Sequence, residues 1–143
     1  MRVFATSAVA LLLIASARGE LAAASKAAQY LVKQHAADGC PAGGTFAAGG
    51  VIERDLTGDG KPDLVIDHSS LQCNDGGRSN ACGMQACSVE IYVRVGALLK
   101  PAESFLSVGG VSLQGGNPPS LKMMSTNSKP YTVRWKGGQF VAR

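Results

Sequence analysis

The segment Asp55-Leu-Thr-Gly-Asp-Gly-Lys-Pro-Asp63 places side-chain oxygens at alternate positions: Asp55, Thr57 and Asp59, then Asp63 after a break. Counted from Asp55, these are positions 1, 3, 5 and 9. Calcium takes six to eight hard oxygen ligands at roughly 2.3–2.6 Å, from carboxylates, carbonyls and water. Alternate spacing that wraps a chain around a point supplies such a set. Lys61, at position 7, would turn its main-chain carbonyl inward and its ammonium outward. Gly58 and Gly60 give the tight backbone path. The first half follows the opening of an EF-hand loop. The second half departs from it: Ile66 stands where an EF-hand needs an acid, and Pro62 with Leu64-Val65-Ile66 argues against an exiting helix. The ring is expected to close at Asp63, with Asp67 as a helper. The competing reading is a plain acidic turn, since Asp and Gly favour turns. Carboxylates this close repel one another unless something positive lies between them. Lys61 and Arg54 could partly fill that role.

Cys40, Cys73, Cys82 and Cys87 are the other chemistry-bearing set. An even count in a small exported domain reads as two disulfides. Four cysteines allow three pairings, and the sequence alone does not choose among them. We favour Cys82–Cys87 as a tight local ring and Cys40–Cys73 as a long staple. The staple closes a loop of roughly 33 residues, worth about 3–4 kcal/mol in the chain-entropy account. Zinc is disfavoured, because its sites prefer CxxC-type pairs and these cysteines are spaced otherwise. A hydrolase would need a base, and the chain has two histidines, His35 and His68. The G-x-S-x-G and H-E-x-x-H patterns are absent. Asp67-His68-Ser69-Ser70 contains triad residue types, but neighbours on a strand point to opposite faces. His35 is read as a surface or packing residue.

These residues must be positioned by something. Met1-Arg2, the uncharged run from Val3 to Ala15 and the small residues after it have the three-part layout of a secretory signal peptide. Cleavage is expected after Ala17 or Ala24, which leaves residues 25–143 as one globular domain of roughly 120 residues. No later stretch resembles a membrane span. Ser25 to Asp38 is rich in helix formers, with Ser25 as N-cap, Gly39 at the end, and Ala27, Tyr30, Leu31 and Gln34 on one face. Residues 40–50 form a turn-rich connector, and residues 69–83 a polar loop pinned by cysteines. Val51–Asp55 and Leu64–His68 read as strands. Ser88–Val95 alternates cleanly, with Val89, Ile91, Val93 and Val95 inward and Glu90, Tyr92 and Arg94 toward water. Phe105–Val108 and Val111–Leu113 flank Gly109-Gly110, which predicts a hairpin. Gly115–Ser120 reads as a loop and Leu121–Met124 as a strand. Tyr131–Trp135 and Gln139–Ala142 form a last hairpin, with Trp135 and Phe140 packed between strands. The fold class is therefore α+β, mainly β: one N-terminal helix, then a small antiparallel sheet of short strands and hairpins, stapled by disulfides.

The formal net charge is +4, and the cations are scattered singly. A nucleic-acid binder clusters them on one face, so no nucleic-acid partner is expected. The Asp55–Asp63 loop resembles the calcium loops of FG-GAP and integrin-type repeats, where DxDxDGxxD precedes a strand; Thr57 replaces the usual Asp or Asn. That resemblance implies structural calcium between two strands. More widely, the order of Cys40, a glycine-rich turn with Phe46, the acidic loop, Leu64–Asp67, Cys73, Cys82-Gly83, Cys87, a strand and Trp135 is similar to a family of small exported Gram-negative, mostly alphaproteobacterial, proteins. It brings no firm activity to transfer. The expectation is a periplasmic or secreted monomer: a non-enzymatic calcium-binding module whose envelope or extracellular partner the sequence does not identify. Asp75 and Arg78 on the 74–80 loop are its candidate contact residues. The rival readings are a small secreted hydrolase, and a disulfide-rigid inhibitor or interaction protein without metal.

Overall fold

The computed structural model describes residues 24–143. Apart from Ala24, the signal-peptide reading lies outside the described residues. Ser25 caps α1 (Lys26–Gly39), its hydroxyl accepting the Ala28 N–H at 3.2 Å. The buried stripe of α1 differs from the expected face. Ala28, Leu31, Val32, His35 and Gly39 turn inward, and Tyr30 is 63% exposed. Spacings of three and four hold for both stripes. The inward one is chosen by what α1 lies on: Ala28 packs against Leu64 and Ile66, and Gly39 lets the helix end approach Leu71 and Ser79 closely.

Ten strands follow, all paired antiparallel, in three sheets instead of one. The central sheet has the order β2 (Val51–Arg54), β3 (Asp63–Asp67), β5 (Cys87–Val95), β6 (Leu98–Ser107). A second sheet has the order β10 (Gln139–Ala142), β9 (Pro130–Lys136), β8 (Pro119–Met124), β7 (Val111–Gly116). A short ribbon pairs β1 (Gly44–Phe46) with β4 (Leu71–Cys73). This ribbon falls where a turn-rich connector and a polar loop were expected. Each of its strands has only three residues, too few to show a period.

The layers are helix, sheet, sheet. Leu64 and Ile66 of β3 face α1 and pack with Ala28, Leu31 and Val32. Val65, Val89 and Ile91 face the second sheet and pack with Leu121, Met123, Val133 and Phe140. Every residue of β3 is consequently buried, the continuous apolar pattern of a strand covered on both faces. The same layering corrects the expectation for β5. Ser88, Glu90, Tyr92 and Arg94 are half-buried beneath α1, not wet.

Gly109-Gly110 is a correction too. The strand before it pairs with β5, with Phe105 opposite Val89, and the strand after it pairs with β8. The diglycine carries the chain from one sheet to the other, and both residues have positive φ. β6 runs ten residues and starts at Leu98. Its composition hides this, because Pro101 interrupts any alternation. An edge strand tolerates that proline beside a register shift opposite Ile91/Tyr92. The predicted 115–120 loop narrows to the β7–β8 turn. The final hairpin turns at Gly137-Gly138, and the Trp135 and Phe140 rings pack edge-to-face at 4.9 Å.

Candidate functional site

The acidic loop connects β2 to β3, closed at its base by the Arg54–Asp63 register pair. Leu56 is 1% exposed and anchors the loop in the main core. Gly58 and Gly60 have φ of 83° and 82°, the left-handed backbone that glycine adopts without penalty.

The carboxylates of the loop differ sharply in setting. Asp63 is fully buried. Its Oδ2 accepts from the amides of Leu56 (2.9 Å) and Thr57 (3.2 Å), and its Oδ1 from that of Arg94 (2.9 Å). Burial raises the Asp63 pKa, the amides of Arg94 and Leu56 oppose the rise, and the charge of Asp59 adds to it. Asp55 accepts from Gly58 and Gly60, both at 2.7 Å, and from Thr57 at 3.2 Å. Burial pushes Asp55 up, but the amides of Gly60, Gly58, Thr57 and Asp59 outweigh it and hold the carboxyl below its ordinary value. Asp59 is exposed and accepts from the Lys61 amide at 2.9 Å. Lys61 is exposed beside it. Thr57 Oγ1 lies 3.5 Å from Asp55 Oδ1. As the loop is folded, no three His, Cys, Asp or Glu side chains among the described residues form a group that could hold a metal ion.

Two expectations about the surroundings are corrected. Asp67 sits at the far end of β3, where its carboxylate accepts from the amides of Ser69 and Val111. It cannot help to close the ring. Neither Lys61 nor Arg54 pairs with the loop acids. Among the described residues, the one salt bridge joins Arg94 to Glu53 at 3.0 Å. Arg94 also donates to Pro62 O (3.0 Å) and Ser25 Oγ (2.8 Å). It thereby ties the loop exit, β2 and the N-terminus of α1 together. The sequence reading left Arg94 on a wet face, and no local signal marks it. A cleft of about 610 Å³ runs beside the loop, with Arg54, Asp55 and Pro62 on one wall and Leu113, Gln114 and Pro119 on the other.

Both favoured disulfides are formed. Cys40–Cys73 spans 5.3 Å and Cys82–Cys87 3.9 Å between Cα atoms. The long one joins the end of α1 to the β1–β4 ribbon. Of the candidate contact residues, Asp75 accepts from the Gly77 amide. Arg78 reaches Met84 O at 3.3 Å and Cys87 Sγ at 3.7 Å, so it braces the small disulfide ring. Met84, at the tip of that ring, is 95% exposed.

A second polar group was not foreseen: the two histidines meet. His35 Nδ1 lies 2.8 Å from His68 Nε2, and His35 Nε2 lies 2.6 Å from the Tyr92 hydroxyl. His68 Nδ1 lies 3.1 Å from Ser79 Oγ. Serine, base and orienting group stand here in the sequence that nucleophilic catalysis uses. The packing restricts it. Ser79 is 2% exposed, its oxygen already accepts the Ala81 N–H, and a Cβ at Gly39 would lie only 2.7 Å from it. Ser79 and His68 do line a cleft of about 430 Å³ together with Arg78 and Gln85, but only a small part of Ser79 faces it.

Among the described residues, no helix is long and apolar enough to cross a membrane. Comparison with protein-family models, curated proteins and solved structures finds no match.

Proposed function

We propose that the protein is a small exported calcium-binding module without catalytic activity, in which the ion orders the 55–63 loop and the strands on either side. The observation that carries this reading is the set of carboxylates Asp55, Asp59 and Asp63 on one short hairpin loop, with no cationic side chain paired to any of them. A dication would offset two of its three negative charges. Asp55, Thr57 and Asp59 would offer side-chain oxygens and Lys61 its carbonyl; Asp63 would add an oxygen at the cost of one of its amide bonds. Calcium would supply charge neutralisation and cross-linking of the loop, in the manner of hard-oxygen sites. The two disulfides fit an oxidising, exported setting.

The test is calorimetric. The disulfide-bonded chain from Ser25 onward is stripped with chelator and titrated with calcium, beside Asp59→Ala. Saturable one-site heat, abolished in the variant and joined by a higher Tm, is the expected result, because a ligand of the native state stabilises it. Absence of heat and of any Tm shift at millimolar calcium would leave the segment an acidic turn.

A further inference from the structure

The row Ser79–His68–His35–Tyr92 could run in either direction, since each ring has two tautomers, and the buried Ser79 hydroxyl favours one. Ser79 Oγ accepts the Ala81 N–H. Among the described residues, its own proton has one acceptor within reach, His68 Nδ1. His68 therefore carries its proton on Nε2 and donates to His35 Nδ1. His35 in turn carries its proton on Nε2 and donates to the Tyr92 oxygen. Every link holds one proton. A further proton on either ring reverses a link and leaves the buried Ser79 hydroxyl without its acceptor. A second sets two N–H groups head to head across 2.8 Å. Burying an unsatisfied polar group costs about 1–3 kcal/mol.

Protonated His35 has a better place. A cavity of about 320 Å³ adjoins it, lined by Asp38, His68, Asn80 and Glu90 among others, with no lysine or arginine among its lining residues. Asp38 is exposed three positions on along α1, at the spacing at which helix side chains meet. Glu90 stands on β5, its carboxylate accepting from Ser104 Oγ. The groups facing the two rings are thus Asp38 from α1, Glu90 and Tyr92 from β5, Asp67 from the end of β3, and the Phe46 ring from β1 at 5.8 Å from His68.

We infer that His35 is a proton-operated latch between α1 and the central sheet: neutral, it closes on His68 and Tyr92, and protonated, it swings into the cavity beside Asp38 and Glu90. The Cys40–Cys73 bridge holds the end of α1 in place, so the change is local and uncovers the Tyr92 hydroxyl and the face of β5 around it. Burial pushes both imidazoles below their ordinary value of 6.5. Glu90 and Asp38 pull back on His35; His35 itself adds to the lowering at His68, where Glu90 and Asp67 oppose it. The sign follows. As pH falls through 6.5 the unfolded chain takes up protons before the folded one, so the stability present above that pH is lost below it.

The test reads the rings directly. The disulfide-bonded chain, 15N-labelled at histidine, is titrated by NMR while Tm is followed against pH, with His35→Gln in parallel. At neutral pH both rings should carry their proton on Nε2, and on acidification they should titrate together, below 6.5. Glutamine cannot titrate, so the acid-induced fall in Tm should shrink by roughly half in the variant. Independent titration at the ordinary value, protons on Nδ1, or an unchanged Tm profile in His35→Gln would each overturn the latch. If that variant fails to fold, the ring protonation of the unmodified chain decides alone.

Discussion

The acidic loop enters β3 at Asp63, and the histidine row leaves it at His68, so only the four buried residues Leu64 to Asp67 separate two polar clusters of opposite construction. In the loop, Asp55, Asp59 and Asp63 accept from amides at most seven positions away, apart from the Arg94 amide. In the row, the partners stand 11, 33 and 57 positions apart. The loop is mostly set by local chain geometry. The row exists only while α1, β5 and the 68–79 segment are held together. A cluster made of near neighbours should survive loss of distant contacts, and a cluster made of distant neighbours should not.

The sharpest way to break the comparison is to remove the long disulfide. Cys40→Ala with Cys73→Ala frees the end of α1 from the β1–β4 ribbon. Urea unfolding should show a loss of about 3–4 kcal/mol. The His35–His68 link should loosen, seen as faster exchange of the α1 amides, while any calcium heat from the loop persists. Equal damage to both clusters would mean that they are one cooperative unit.

Asp63→Ala attacks the loop at its buried member. It strands the amides of Leu56 and Arg94, while Thr57 keeps its bond to Asp55, and the denaturation midpoint should fall by the equivalent of about 3 kcal/mol, since each buried unpaired donor costs roughly 1–3 kcal/mol. Asp63 has a structural duty whether or not an ion binds, so this variant cannot by itself test calcium.

Ser25→Ala removes the cap of α1 and one partner of Arg94. Loss of such a cap costs about 1 kcal/mol, readable as a lower urea midpoint. An effect above that would show that the Arg94 tie between helix and loop exit adds to the cap.

The smallest structural effect belongs to Asp59→Ala. Asp59 is exposed and makes one amide contact, so chelator-treated protein should lose no more than about 0.5 kcal/mol. The same change should abolish calcium heat. Asp63 and Asp59 thus separate the fold of the loop from its proposed ligand.

Much of this was legible in the residues. Ser25 and Gly39 bound α1, the alternation from Val89 to Val95 marks β5, and the diglycine at 137–138 makes the last hairpin. The loop from Asp55 to Asp63 declares its turn through its own Asp and Gly spacing, and the even cysteine count implied two disulfides, although it left three pairings open. All of these depend on residues within a few positions of one another or on simple covalent arithmetic.

What tertiary structure decided is equally specific. It turned the Ala28–Val32–His35 stripe of α1 inward in place of the Tyr30 stripe, and covered Glu90, Tyr92 and Arg94. It made Gly109-Gly110 a bridge between sheets, and moved Asp67 out of the loop's reach. It brought together two histidines that the sequence offers only as isolated residues. The reason is that period and turn chemistry specify which residues share a face, but not which layer that face will meet. A ring nitrogen acquires its partner, its tautomer and its proton affinity only when a distant element closes over it.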